Sequence, residues 1–143
     1  EAPGEKEDLE GKPFVGRSGK LLDEILSFAG LNPQEDVYIT NILKCRPPKN
    51  RDPSSLEQDL CMKHLNRQIS LIAPKLLVCV GRVAACRIID KNFKIMKSHG
   101  ELFKVGEQRV TAVLHPAAIL RNMNNLPYAH EDWKKVKEWS EIL

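Results

Sequence analysis

The sequence lacks any apolar run long enough to cross a membrane. Its longest apolar stretches, Leu76–Gly81 and Val110–Leu114, fall far short of the roughly 20 residues that span a bilayer. Residues 1–143 do not open with a charged segment followed by an apolar one, and they contain neither an internal repeat nor a low-complexity segment. We therefore expect these residues to form one compact, monomeric, cytoplasmic domain with no membrane partner.

A strong excess of charge of either sign is also missing. The formal net charge is +3, from 22 basic and 19 acidic residues, which permits nucleic-acid binding without arguing for it. The local distribution is more informative, because Lys44, Arg46, Lys49 and Arg51 follow one another with no acid between them. Such a loop either meets phosphates or is simply solvated.

Cysteine is scarce, and a disulfide framework is not expected. The chain has four cysteines and is rich in Lys and Glu, as is typical of proteins in a reducing cytosol, so metal-binding or core thiols are favoured. Cys79 lies in an apolar run and Cys86 on the helix behind it, and both fit a buried apolar role. Because Glu1 lies inside a glycine-proline turn with no strand before it, we expect a segment to precede it.

The pattern along the chain alternates helices with strands. An apolar helical period begins at Ser18 and stops at Gly30, and Ser54 with Glu57 forms a capping box for a helix that ends before Pro74. The β-branched run Val37–Ile42 predicts a strand. The remaining predicted elements are a strand at Leu76–Val80, a helix at Arg82–Ile89, a hairpin of Glu101–Lys104 with Arg109–Leu114, a short helix after Pro116 and a terminal helix from about His130 to Ile142. This order predicts a three-layer αβα fold with a short, mostly parallel central sheet.

Ligands of such sheets bind at the carboxyl ends of the strands, which directs attention to a few segments. These are Asn41 to Cys45, Gly81-Arg82 and His115-Pro116, together with the opening loop. Asn41 can both donate and accept, as reading a base edge requires, or it can merely cap its strand. His115 can act on a ligand or form a local hydrogen bond. Phe14 lies between glycines and either presents its ring to a ligand or anchors the loop in the core.

Four segments of the chain carry a family resemblance. They are Glu1-Ala2-Pro3-Gly4-Glu5, Lys12-Pro13-Phe14-Val15-Gly16-Arg17-Ser18-Gly19, Tyr38-Ile39-Thr40-Asn41-Ile42-Leu43-Lys44-Cys45-Arg46-Pro47-Pro48, and His115-Pro116-Ala117-Ala118-Ile119-Leu120-Arg121. Together they resemble the successive motifs of the family-4, iron–sulfur type of uracil-DNA glycosylases. Their order and separation match as well, so the resemblance covers essentially the whole chain. It implies an enzyme that flips uracil out of single- or double-stranded DNA and hydrolyses its N-glycosidic bond, leaving an abasic site.

The resemblance also implies roles for individual residues. Phe14 would stack on the uracil ring, Asn41 would bind the edge that carries N3–H and O4, and His115 would face O2, where negative charge develops. Ala2 and Gly4 would lie against the substrate. Ala2 stands where the best-known uracil glycosylases carry an aspartate, so Glu7, or else Glu1, would handle the water.

Two further groups follow from the same resemblance. Ile119, Leu120 and Arg121 would enter the DNA helix as an apolar wedge with a cation beside it, while Arg46, Lys49 and Arg51 would contact the backbone. Cys45 and Cys61 would supply two of the four thiolates of a [4Fe–4S] cluster, the other two coming from a segment upstream of Glu1.

Two other classes of protein stay open on the sequence alone. One is a relative that binds or traps uracil in DNA without releasing it. The other is an iron–sulfur or zinc scaffold protein in which the cysteines matter and the pocket is incidental. Release of free uracil, and its dependence on Asn41 and His115, separates these alternatives from the glycosylase.

Overall fold

The computed structural model describes residues 16–41 and 54–143, without the side chains of residues 55, 57, 58 and 60. The six helices of this part are α1 Arg17–Phe28, α2 Ser55–Ile72, α3 Arg82–Ile88, α4 Ile95–Ser98, α5 Pro116–Arg121 and α6 Leu126–Ile142, with a 3₁₀ turn at Met123–Asn125. The three strands of this part are β1 Leu77–Val80, β2 Leu102–Val105 and β3 Gln108–Val113.

The three strands form one sheet in the order β1-β3-β2. Strands β1 and β3 pair in parallel from Leu77 opposite Val110 to Val80 opposite Val113. Strand β2 pairs with β3 in antiparallel fashion through the turn at Gly106, whose φ is +59°, so the predicted hairpin is confirmed. The α/β fold is confirmed, although the described sheet is mixed and not mostly parallel.

Helices cover both faces of this sheet. One core cluster joins α1, α5 and α6 to Val113 through residues such as Leu22, Ile25 and Trp133. The other joins α2 and α3 to Cys79, Val110 and Ala112. Because alternate residues of β3 belong to opposite clusters, the sheet is the middle of three layers, as predicted.

The prediction of a strand at Val37–Ile42 is wrong for the residues of this run that the structure describes. Residues 37–41 form no strand, and Ile42 lies outside the described residues. Val37 and Ile39 still pack against the core, so the β-branched pattern reflects burial of side chains and not backbone pairing. Both this segment and β1 line a cavity of about 500 Å³.

The predicted helices are present with shifted ends. Helix α1 begins at Arg17 and has Gly16, not Ser18, at its N-cap, and Gly30 follows its end at a φ of +87°. Helix α6 begins at Leu126, four residues earlier than predicted, because Pro127 occupies its first turn, where proline is tolerated. None of the helices in the described part is both long and apolar enough to cross a bilayer.

Candidate active site at the carboxyl edge of the sheet

The candidate site lies where β1 and β3 end, since parallel strands bring their carboxyl ends to one edge. The backbone N–H of Gly81, just beyond β1, donates to the carbonyl of Val113 at 2.9 Å and extends the pairing. The antiparallel strand β2 begins near the same edge, where the N–H of Gly100 donates to the carbonyl of Ala112 at 2.8 Å. This edge therefore collects the residues that follow β1 and β3 and those that precede β2.

His115 stands at this edge, two residues after β3, and its side chain is held by the helix that follows. It is the N-cap residue of α5, and its Nδ1 accepts a hydrogen bond from the backbone N–H of Ala117 at 3.0 Å. An accepting Nδ1 carries no hydrogen, so the neutral ring has its hydrogen on Nε2. The local structure thus fixes the tautomer and leaves Nε2–H as the donor of the ring.

Burial keeps the His115 ring uncharged. Its pKa is lowered from 6.5 to about 4, chiefly by removal from water and to a smaller extent by nearby positive charge, which includes that of Arg121. Near pH 7 the side chain is therefore a neutral hydrogen-bond donor and not an imidazolium.

This pKa predicts how folding stability changes with pH. Because the unfolded chain takes up a proton on His115 near pH 6.5 and the folded chain only near pH 4, the contribution is complete above 6.5 and is lost as the pH falls toward 4. Between pH 7 and pH 5, the wild type should lose about 2 kcal/mol more free energy of unfolding than His115→Asn. Urea unfolding of both proteins at the two pH values measures the difference, and equal losses would contradict the assigned burial.

Asn41 ends the described part of the segment that precedes the second gap. It is partly buried and lines the 500 Å³ cavity together with Val80, the residue before Gly81. The segment is tied to α2 by two hydrogen bonds of Gln68, which accepts from the Thr40 hydroxyl at 3.1 Å and donates to the Tyr38 hydroxyl at 3.3 Å. These two bonds fix the Tyr38 and Thr40 side chains to α2. Because Thr40 directly precedes Asn41, they also limit where the Asn41 amide can lie.

A histidine–aspartate pair near the same edge was missed by the sequence reasoning. Nδ1 of His99 lies 2.6 Å from Oδ2 of Asp132, and the Asp132 side chain is 4 % exposed. Burial raises the pKa of Asp132, while the hydrogen bond from His99 opposes that rise. The sequence did hold one sign of this pair, because Asp132 is an acid on the apolar face of the terminal helix. The buried residues of that face are Ala129, Asp132, Trp133 and Val136.

The residues after His115 divide between core and surface. Ile119 is 1 % exposed and belongs to the core cluster, because the helical period of α5 turns Pro116 and Ile119 inward together. Its role in a DNA wedge stays a prediction. Leu120 is partly buried, whereas Arg121 is exposed.

Many predicted site residues lie outside the described residues. They are Glu1, Ala2, Gly4, Glu7 and Phe14 in the opening loop, and Lys44, Cys45, Arg46, Lys49 and Arg51 in the basic loop. The prediction that Cys45 and Cys61 hold a common cluster is therefore not tested.

The cysteines within the described part differ in their surroundings. Cys61 is a partly exposed free thiol on α2. Cys79 is 2 % exposed, and burial raises its pKa to about 12, so it stays a core thiol as predicted and is a poor thiolate ligand. Cys86 is partly buried, and its Sγ lies 3.6 Å from the carbonyl oxygen of Phe93. Within residues 16–41 and 54–143, no three His, Cys, Asp or Glu side chains converge on a metal site.

Comparison with known proteins decides the family. The family model described as "Uracil DNA glycosylase superfamily" matches residues 1–142. A type-4 uracil-DNA glycosylase from Archaeoglobus fulgidus is 46 % identical over 146 residues, covering 96 % of this chain and 73 % of the relative. The chain belongs to the type-4 uracil-DNA glycosylases. Within this family, the enzyme from Sulfurisphaera tokodaii is 44 % identical, with 96 % of this chain and 66 % of the relative covered.

Another type-4 uracil-DNA glycosylase, from Thermotoga maritima, is 44 % identical over 87 % of this chain and 66 % of its own length. The chain thus spans about two thirds to three quarters of these type-4 relatives. The family predicted from the four motifs is therefore confirmed.

Proposed function

We propose that this chain releases uracil from DNA by hydrolysing the N-glycosidic bond, with His115 as the donor to uracil O2. Its family membership makes it a DNA-repair glycosylase. The observation that carries the role of His115 is its neutral ring with Nδ1 accepting from Ala117, because this places the only N–H group of the ring on Nε2. During the reaction, negative charge develops on uracil O2, where a hydrogen-bond donor stabilises it.

Cleavage of the N-glycosidic bond separates charge between the base and the sugar. When the bond between N1 of uracil and C1′ of the sugar breaks, its electron pair enters the base and negative charge collects on O2, while the sugar becomes oxocarbenium-like. Water adds to C1′ and loses a proton to the solvent, the uracil anion takes up a proton from the solvent, and the products are free uracil and an abasic site. A neutral Nε2–H can stabilise the charge on O2 without transferring its proton, and a preorganised donor of this kind is typically worth about 3–4 kcal/mol.

Recognition of the base is assigned to two side chains. Asn41 accepts from N3–H and donates to O4, and the anchoring of its segment to α2 supports this role because recognition requires a fixed amide. Phe14 stacks on the flipped ring, and Ala2 and Gly4 lie against the substrate. Glu7, with Glu1 as the alternative, orients the attacking water.

Contacts with the DNA backbone are assigned to positive side chains. Arg121 is exposed six residues after His115 and lies close enough to affect its pKa, so phosphate bound by Arg121 would lie near the reacting nucleotide. Ile119 and Leu120 are the apolar side chains that enter the DNA helix beside it. Arg46, Lys49 and Arg51 bind the backbone from the basic loop, and we place the reaction in the cytoplasm, carried out by a monomer with a single domain.

The test is release of free uracil from a uracil-containing oligonucleotide, measured in single- and double-stranded form under single-turnover conditions. Free uracil and an alkali-labile abasic site support the proposal. Tight binding without free base would instead identify a protein that traps the lesion.

The exposure of the described thiols supports a structural [4Fe–4S] cluster that uses Cys61 and not Cys79. Cys61 is accessible, as a ligand must be, whereas Cys79 is buried in the core. Cys45 and Cys61 would hold it from this chain, and the cluster would brace the basic loop between them. In the full-length protein, Cys61→Ser should abolish copurification of iron and sulfide and the brown colour. Cys79→Ser should keep them, with only the stability loss of placing a hydroxyl in a core. Retained iron in Cys61→Ser would remove Cys61 from the ligand set.

A further inference from the structure

Gly81 follows β1 directly at the edge of the sheet that carries His115. Its φ is +96° and its ψ is 172°, a region of backbone conformation that is essentially restricted to glycine. The residue is buried, and its N–H holds the carbonyl of Val113 two residues before His115. The sequence singled out Gly81-Arg82 as lying at this edge, but no step of the proposed function uses Gly81.

The His115 ring packs on the bare α-carbon of Gly81. A Cβ placed at position 81 would lie 3.0 Å from Cβ of His115, 3.2 Å from its Cδ2 and 3.4 Å from its Cγ. These separations are shorter than ordinary van der Waals contact, which for carbon atoms lies near 3.5–4.0 Å. Any residue with a side chain would therefore force the His115 side chain to shift by a few tenths of an ångström.

The ring is thus constrained by two independent contacts. The hydrogen bond from Ala117 fixes Nδ1, and the close approach of Gly81 limits the ring's position from the side of β1. Together they set the direction in which Nε2–H points. This matters because a catalytic group displaced by about 1 Å can lose as much as 100-fold in rate.

We propose that Gly81 is a positioning residue for the reaction, whose missing side chain lets the His115 ring lie where Nε2–H reaches uracil O2. The inference rests on the proposed function of His115. Gly81 itself touches no substrate and acts only through the ring.

Gly81→Ala tests the inference in a way that separates positioning from general damage. We expect its single-turnover rate of uracil release to fall about 10-fold or more, corrected for the folded fraction. We also expect NMR titration of the His115 ring to show a pKa raised from about 4 toward 6.5, because a displaced ring regains water. A loss of stability alone would not move that titration in the molecules that stay folded.

Gly30→Ala is the matched control. Gly30 also has a positive φ, +87°, but the nearest atom to a Cβ placed at position 30 is Cε of the flexible Lys137 side chain, at 3.7 Å. This variant carries backbone strain without touching His115, so its corrected rate and its His115 titration should match the wild type.

Three results would overturn the inference: a wild-type rate in Gly81→Ala, a rate loss with an unchanged His115 titration, or an equal rate loss in Gly30→Ala. If Gly81→Ala folds too weakly for a rate measurement, the double variant Gly81→Ala/His115→Gly should melt at a higher temperature than Gly81→Ala, because it removes both the ring and the Cβ that lies 3.0 Å from the new methyl group. A double variant that melts no higher than Gly81→Ala would also overturn the inference. If His115→Asn keeps the wild-type rate, the proposed function of His115 fails. If His115→Asn is slow while Gly81→Ala is not, only the role of Gly81 fails.

Discussion

Replacing His115 with asparagine is expected to lower the single-turnover rate of uracil release by about 100-fold or more, the scale of losing one donor aimed at developing charge. Asparagine is a good N-cap residue, so its side-chain oxygen can still accept from the N–H of Ala117 and preserve the start of α5. Its amide is too short to reach the place that Nε2 occupies. The variant therefore removes the donor while keeping the local structure.

The comparison is completed by two further variants. His115→Ala should be as slow as His115→Asn and less stable by about 0.5–2 kcal/mol, because it also loses the cap. His64→Asn makes the same chemical change at an exposed position on α2 and should keep the wild-type rate. If His115→Asn and His64→Asn released uracil equally fast, the role of His115 would be refuted.

The family could be predicted because it depends on residue types in order, and so could the position of His115 in the fold. His115 needs only an apolar strand before it and a proline after it to be placed at the carboxyl edge, and the parallel pairing of β1 with β3 brings it there. The hairpin around Gly106 was predictable for a similar reason, since two alternating runs flank a short turn. Both the end of the strand before His115 and the hairpin turn depend on residues that are close together in the sequence.

The failures concern relations between distant segments. The Val37–Ile42 run has the composition of a strand, but a strand requires a partner, and composition does not say whether a neighbouring backbone lies within hydrogen-bonding distance. The burial of Ile119 was also not foreseen, because its place in the motif does not reveal that the helical period of α5 turns its side chain into the core.

Contacts across the fold could not be read from the sequence. Nothing in the sequence shows that Gly81 touches His115, since the two are 34 positions apart and only the pairing of β1 with β3 joins them. The pair of His99 and Asp132 is similar, although an acid on the apolar stripe of α6 was a usable warning. A buried acid without a partner is costly, so such a position predicts that a partner exists without identifying it.

Specificity should depend on Asn41 as strongly as the rate depends on His115. The uracil edge offers one donor, N3–H, and one acceptor, O4, and a carboxamide matches both at once. In Asn41→Asp the carboxylate can still accept from N3–H, but it has no hydrogen for O4 and places negative charge against it. We expect uracil release to fall by about 100-fold or more, because a site built for a hydrogen bond rejects a mismatched partner strongly.

The same substitution should change the preference between bases. Cytosine carries an amino group where uracil carries O4, and a carboxylate can accept from that group, so the ratio of cytosine release to uracil release should rise in Asn41→Asp. Single-turnover release from matched oligonucleotides that differ only in the target base measures both rates. Asn92→Asp adds the same charge at an exposed turn residue and should leave the ratio and the uracil rate unchanged. Wild-type uracil release by Asn41→Asp would show that this amide does not read the base, and the anchoring of its segment by Gln68 would then serve the fold alone.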